Sequence, residues 1–192
     1  MTVLPNLDTP RLVARLGVNP ENIAEAFLKR GNVFLADARP KTSEDPEQHI
    51  YFLDDRETLI YFIIDDSTDV PYFDFTGPRV GEAKEIIRSA QLVRSLSEII
   101  ASIDAATAVD RLVYEAYCLG LACPETVAAE PFAALIKLLN HGDSEVRRAA
   151  AFATSFVGWP ELRNPLQQLA QHDVALAVRS MAQRALEVIY GE

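Results

Sequence analysis

LIKLLNHGDSEVRRAA, residues 135–150, and LQQLAQHDVALAVRSMA, residues 166–182, run through the same order of residue types. Each has a leucine-rich stretch, then a polar turn carrying Asp143 or Asp173, then Val-Arg followed by small residues. His141 and His172 stand 31 positions apart, Val146 and Val178 stand 32 apart. From Val146, apolar or small residues recur at Ala149, Ala150, Ala153 and Val157. From Val178 they recur at Met181, Ala182, Ala185, Leu186 and Ile189, and from Val109 at Leu112, Val113, Ala116, Tyr117 and Gly120. Steps of three, four, seven and eleven place such residues on one face of a helix. Any amphipathic helix produces them, so the recurring turn ahead of the helix is the decisive sign.

A helix pair of this size cannot bury its apolar stripe alone, and stacking neighbouring pairs is the physical remedy. Ala149, Ala150, Ala153 and Ala182 would let stacked helices approach closely. Asp143 is placed to cap the next helix and face its positive end. Arg147 and Arg179 are expected to be structural, tied to turn carboxylates. Over about residues 130–190 the pattern resembles the HEAT or armadillo-like family of helical repeats, whose second helix often begins with a turn Asp followed by Val-Arg and alanines. The resemblance implies a right-handed α-solenoid with a short curved surface for protein partners. Residues 85–120 fit it poorly, because Val109 is followed by Asp110 and lies 37 positions before Val146.

Outward from the repeat, one long helix is expected over 81–103 and another from Asp104 to Cys118 or Gly120. A third, over 124–140, is expected to break at Glu130-Pro131, since proline disfavours helix in the residue before it. The last helices are placed near 143–157, 160–171 and 174–190. At the other end, Thr9-Pro10 ahead of RLVARL and Gly17, and Asn19-Pro20 ahead of ENIAEAFLKR and Gly31, have the punctuation of two short helices. In the second, Ile23, Ala26, Phe27 and Arg30 share a side.

Between them and Gly77-Pro78 the chain reads as β. NVFLADA (32–38), HIYFL (49–53), TLIYFII (58–64) and VPYFDF (70–75) are aromatic and β-branched, parted by polar or acidic turns. TLIYFII does not alternate, which predicts a central strand covered on both faces. Tyr72, Phe73, Asp74 and Phe75 alternate, as on an edge strand with one wet face. The expected fold is therefore α+β. An N-terminal α/β region, 1–80, holds a small antiparallel β-meander with two short helices; a C-terminal HEAT-like α-solenoid occupies 81–192.

Charge is concentrated in the β region. The net charge is −10, and ten acidic residues lie between Thr42 and Gly77 with Arg56 as the only basic one. The balance argues against nucleic acid as a partner, which needs a basic stripe. Neither a transmembrane helix nor a basic-then-apolar leader is evident, so a cytoplasmic location and no membrane partner are expected. Cys118 and Cys123 have the wrong spacing for a CxxC site and are expected to be buried thiols.

DDRETLIYFIIDDS, residues 54–67, holds two aspartate pairs that invite a metal or acid–base reading. With Thr58–Ile64 as a strand, residues 55 and 65 lie ~33 Å apart at about 3.3 Å per residue. One metal cannot be held from both ends. No metal, no cofactor and no catalytic residue is expected. His49, His141 and His172 are read as structural, and Trp159 as packing at an inter-repeat turn. The acidic turns are instead read as a partner-binding rim comprising Asp54, Asp55, Glu57, Asp65, Asp66, Asp69 and Asp74, and asparagine at the two pairs is expected to leave folding nearly intact.

The sequence thus points to a non-enzymatic protein-binding module for a basic partner. Acidic inhibitors of basic enzymes, including bacterial immunity proteins that neutralise nuclease toxins, use the same charge logic. The alternatives are a HEAT-like cofactor-handling enzyme resembling bilin lyases, or a structural adaptor subunit. Partner identity and oligomeric state are not readable from the sequence.

Overall fold

In the computed structural model, residues 11–29, 32–43 and 45–191 are described, and the chain divides into two compact units, Met1–Arg94 and Ser95–Glu192. The first unit is built on an antiparallel sheet of five strands: β1 (Leu12–Val13), β2 (Val33–Arg39), β3 (Glu47–Leu53), β4 (Leu59–Asp65) and β5 (Val70–Thr76). Their order across the sheet is β1-β5-β4-β3-β2, a meander with β1 added beyond β5. Helices α1 (Pro20–Leu28) and α2 (Val80–Ser89) belong to this unit. Ile23 and Phe27 of α1 and Ala83, Ile86 and Ile87 of α2 share one core with Ile60, Phe62, Phe73 and Phe75.

The first expected helix is a strand. Leu12 pairs with Phe73 and Val13 with Tyr72, while Ala14 donates to the Pro71 carbonyl at 2.9 Å. On its other side Arg94 donates to the Val13 carbonyl and Arg15 to that of Leu92, each at 2.9 Å. RLVARL is too short to repay helix nucleation, and the extended form satisfies both of its edges. The proposed cap at Thr9-Pro10 lies outside the described residues. The second expected helix is α1: Asn19 caps it reciprocally with Asn22, and Pro20 opens its first turn. Its expected end at Arg30 and Gly31 lies outside the described residues.

β4 is central, with Ile60 and Phe62 fully buried toward the core and Ile63 buried on the opposite face. β5 is not an edge, because β1 covers its outer side, and Asp74 is buried at 2 % exposure. The exposed edge among the described residues is β2, where only Val33 is buried.

The second unit is helical: α3 (Leu96–Ala105), α4 (Val109–Ala122), α5 (Ala129–Leu139), α6 (Ser144–Ala153), α7 (Arg163–His172) and α8 (Leu176–Tyr190). Short 3-10 turns extend α6 through Phe156 and precede α7 from Pro160. Three hairpins follow, α3–α4, α5–α6 and α7–α8, with α4 against α6 and α6 against α8. Closest approach is at Gly120, where a Cβ would stand 2.5 Å from the Ala153 carbonyl oxygen and 2.9 Å from its Cβ.

Two helix boundaries differ from expectation. The 81–103 stretch is broken: Gln91 takes φ 57° and Val93 bridges Ala14. Ser95 then caps α3 in a reciprocal box with Glu98 (2.7 and 3.2 Å). Asp104 sits in the last turn of α3, and the next helix starts only at Val109. Pro131 does not break a helix; it is the third residue of α5, where backbone N–H groups have no partner within the helix.

Candidate binding surfaces

The acid-rich turns cap opposite ends of β4, so the two aspartate pairs never meet. At one end, Asp55 organises the β3–β4 turn. Its Oδ1 accepts from the backbone N–H of Glu57 and of Thr58, both at 3.0 Å, and its Oδ2 from the Thr58 hydroxyl at 2.7 Å. These bonds, the Thr58 amide first, hold its carboxyl below the usual range. Gly77, at φ 110°, crosses behind this turn; a Cβ there would lie 2.5 Å from the Glu57 carbonyl oxygen. Arg79 follows and binds Asp54 at 2.6 Å and Glu82 at 2.7 Å.

At the other end, Asp65 Oδ1 accepts from Ser67 N–H at 2.8 Å, and its carbonyl accepts from Asp69 N–H at 2.9 Å. Asp66 pairs with Lys41. Asp69 is exposed at φ 54°. Asp55 and Asp65 therefore build their turns, which corrects the expectation that their replacement leaves folding untouched. Asp74 departs further from the expected rim: it is buried and bound to Arg11 at 3.3 Å. Burial pushes its carboxyl up, and Arg11 offsets only part of that. Lys41 and Arg79 lie just outside the acidic segment in sequence, so a window count misses that both fold onto its ends. Glu57 and Asp69 are exposed and form no ion pair among the described residues.

The helical unit handles its charge differently. Asp143 caps α6 by accepting from Glu145 N–H at 2.8 Å. Arg147 spans two hairpins. Its Nη1 donates to the carbonyls of His141 and Gly142 at 2.8 and 2.9 Å, while Nε and Nη2 grip both oxygens of Asp173 at 2.7 and 3.0 Å. Arg179 repeats the first half of this clasp, donating to the carbonyls of Asp173 and Val174 at 2.6 and 3.4 Å. The structural repeat is therefore 32 residues, aligning His141 with Asp173 rather than with His172. The two equivalent side chains do the same work: His141 Nδ1 accepts from Asp143 N–H at 3.1 Å, and Asp173 Oδ1 from Ala175 N–H at 2.8 Å.

Trp159 is buried at the expected inter-repeat position, donating from Nε1 to the Pro124 carbonyl at 3.0 Å. Cys118 and Cys123 are free, buried thiols, and burial pushes Cys123 up to about 12. Glu115, fully buried in α4, is held by Arg111 at 2.7 Å and the Ser102 hydroxyl at 2.8 Å, a clasp between α3 and α4. A groove of about 520 Å³ between α5 and α7 has Ile136, Leu139 and Leu169 with the carboxamides of Asn140, Asn164 and Gln168. Its titratable members are His172 and Asp173, and Asp173 is already taken by Arg147. Among the described residues no three His, Cys, Asp or Glu side chains are grouped to hold a metal ion, and no helix is long and apolar enough to cross a membrane.

Residues 93–187 match the HEAT repeats family. The match takes in the α3–α4 hairpin, which sequence spacing had left outside. No curated protein and no solved structure matches the chain.

Proposed function

From a C-terminal part that consists of HEAT repeats, residues 93–187, we propose that the protein is a non-enzymatic, cytoplasmic binding module whose acid-rich turns receive a basic protein partner. The observation that carries this reading is the charge left over on the sheet unit. Lys41 and Arg79 each neutralise part of one end, yet Glu57 and Asp69 stay exposed and unneutralised beside them. Charge of one sign at exposed turns accelerates encounter with an opposite surface. An inhibitor or immunity-type role for a basic enzyme is the finer form of the reading, supported by this charge alone.

The test begins with affinity capture of the partner from source cells and its identification by mass spectrometry. Stopped-flow association is then followed from ~50 to ~500 mM salt, where the Debye length shrinks severalfold. Association is expected to slow at least tenfold across that range. The combined variant Glu57→Gln, Asp66→Asn and Asp69→Asn is expected to slow it at low salt, with an unchanged melting profile. A rate indifferent to both salt and these substitutions sinks the proposal.

A further inference from the structure

We propose that the turn between α7 and α8 docks a protein partner that presents a carboxylate between apolar side chains, with Arg179 as the anchor. The argument is internal to the repeat. Arg147 and Arg179 each use Nη1 to clasp the two carbonyls lying six and five residues earlier. With that nitrogen fixed alike, the opposite edge of each guanidinium, Nε and Nη2, points the same way relative to its own hairpin. For Arg147 that edge meets Asp173 of the following hairpin in a bidentate grip. For Arg179 no carboxylate fills the corresponding edge among the described residues.

The flanking residues point to a protein occupant. Val174 and Leu176 are 91 % and 69 % exposed, and both adjoin Arg179: its Nη1 donates to the Val174 carbonyl, and Leu176 lies one helical turn away. The 32-residue repeat places Gly142 and Ser144 at the corresponding positions of the preceding hairpin. Nothing in the local turn geometry asks for Val and Leu instead, since the small polar pair forms the same turn. The outer face of a terminal repeat is ordinarily polar. Apolar side chains around a half-used guanidinium continue the interface that α5–α6 already makes with α7–α8. The occupant's chemistry is read from that interface: a helical hairpin whose turn carries an Asp or Glu, as the α7–α8 turn carries Asp173. This surface is independent of the acid-rich turns, and substitutions there leave its test unchanged.

The full chain is extended by repeating residues 161–192 directly after Glu192, which keeps the 32-residue register and places a second copy of the Asp173 turn opposite Arg179. The appended hairpin is the probe. Its thermolysin cleavage is expected to be slowed at least tenfold relative to the same protein carrying Arg179→Gln. Changing the appended aspartate to Asn is expected to remove the same protection, and the double change to remove no more. Equal cleavage with Arg or Gln at 179 overturns the proposal, whether the hairpin is protected in both or in neither. Light scattering on the unextended chain supplies the other arm. A dimer that Arg179→Gln dissolves makes a second copy the occupant and overturns the assignment to a different partner; a monomer agrees with it.

Discussion

Asp173 and Asp74 each face an arginine, and the fold moves them in opposite directions. Asp173, in the helical unit, receives two guanidinium bonds from Arg147 and the Ala175 N–H, and its carboxyl is held below the usual range, with the Arg147 bond as the largest cause. Asp74, in the sheet unit, has one longer contact with Arg11, and burial pushes it up. An opposite charge nearby does not by itself stabilise a carboxylate. Bonds of good geometry must outweigh the loss of water. The same contrast separates the two units. The helical unit uses a turn acid to tie one hairpin to the next, whereas the sheet unit uses its turn acids locally and leaves the remainder facing solvent.

The contrast breaks most visibly at one glycine per unit. Gly77→Ala places a Cβ against the Glu57 carbonyl in a backbone conformation that L side chains rarely adopt. Strain and overpacking together should cost about 4 kcal/mol. Hydrogen exchange of the β4 and β5 amides should report it. Gly120→Ala meets Ala153 of α6 at comparable distance but in ordinary helical geometry, and alanine's helix propensity offsets part of the clash. A loss of about 2 kcal/mol is expected. Trp159 fluorescence in urea is the readout, since it is the chain's single tryptophan and lies in the helical unit. Equal losses for the two variants would remove the distinction between strained and merely tight approach.

Asp173→Ala should cost about 2 kcal/mol through two charged bonds and the cap of the turn before α8. In a double-mutant cycle with Arg147→Gln the effects should be strongly non-additive. Additive losses would mean that the link between hairpins rests on apolar packing alone.

The smallest effect is in pH. Asp173 has a lowered folded value, so its contribution is present above the unfolded value of ~3.9 and is lost as pH falls through the folded one. Asp74 has a raised folded value, so its contribution is present below ~3.9 and is lost as pH rises through the folded one. Urea midpoints measured from pH ~3 to ~7 should therefore show a shallower acid loss for Asp173→Asn. For Asp74→Asn they should show a shallower loss as pH rises. Slopes of the same sign for the two variants would contradict the contrast.

Much of this was legible in the residues. The helical hairpins from 143 onward, the Asp143 cap, the four meander strands and α1 follow from periodicity and punctuation, which are local. The break at 90–95 was legible too, because Ser95 and Glu98 stand in capping-box spacing, but the apolar run across it masked that signal. The α3–α4 hairpin escaped the repeat because the connection from Cys123 to Ala128 stretches the spacing while the stacking of α4 on α6 stays the same.

Other features depended on partners distant in sequence. Leu12 and Val13 are extended because β5 and the 92–94 segment supply backbone bonds on both sides. Asp74 is buried because β1 covers β5. Lys41 and Arg79 neutralise acids that no window of sequence joins to them. His141 aligns with Asp173, two unlike residues, because both accept the amide two positions on. Local patterning fixes which elements form, since each residue's preference acts over a few positions. Which charge is spent, which is buried and which faces solvent is decided only when the chain brings remote groups within bonding distance.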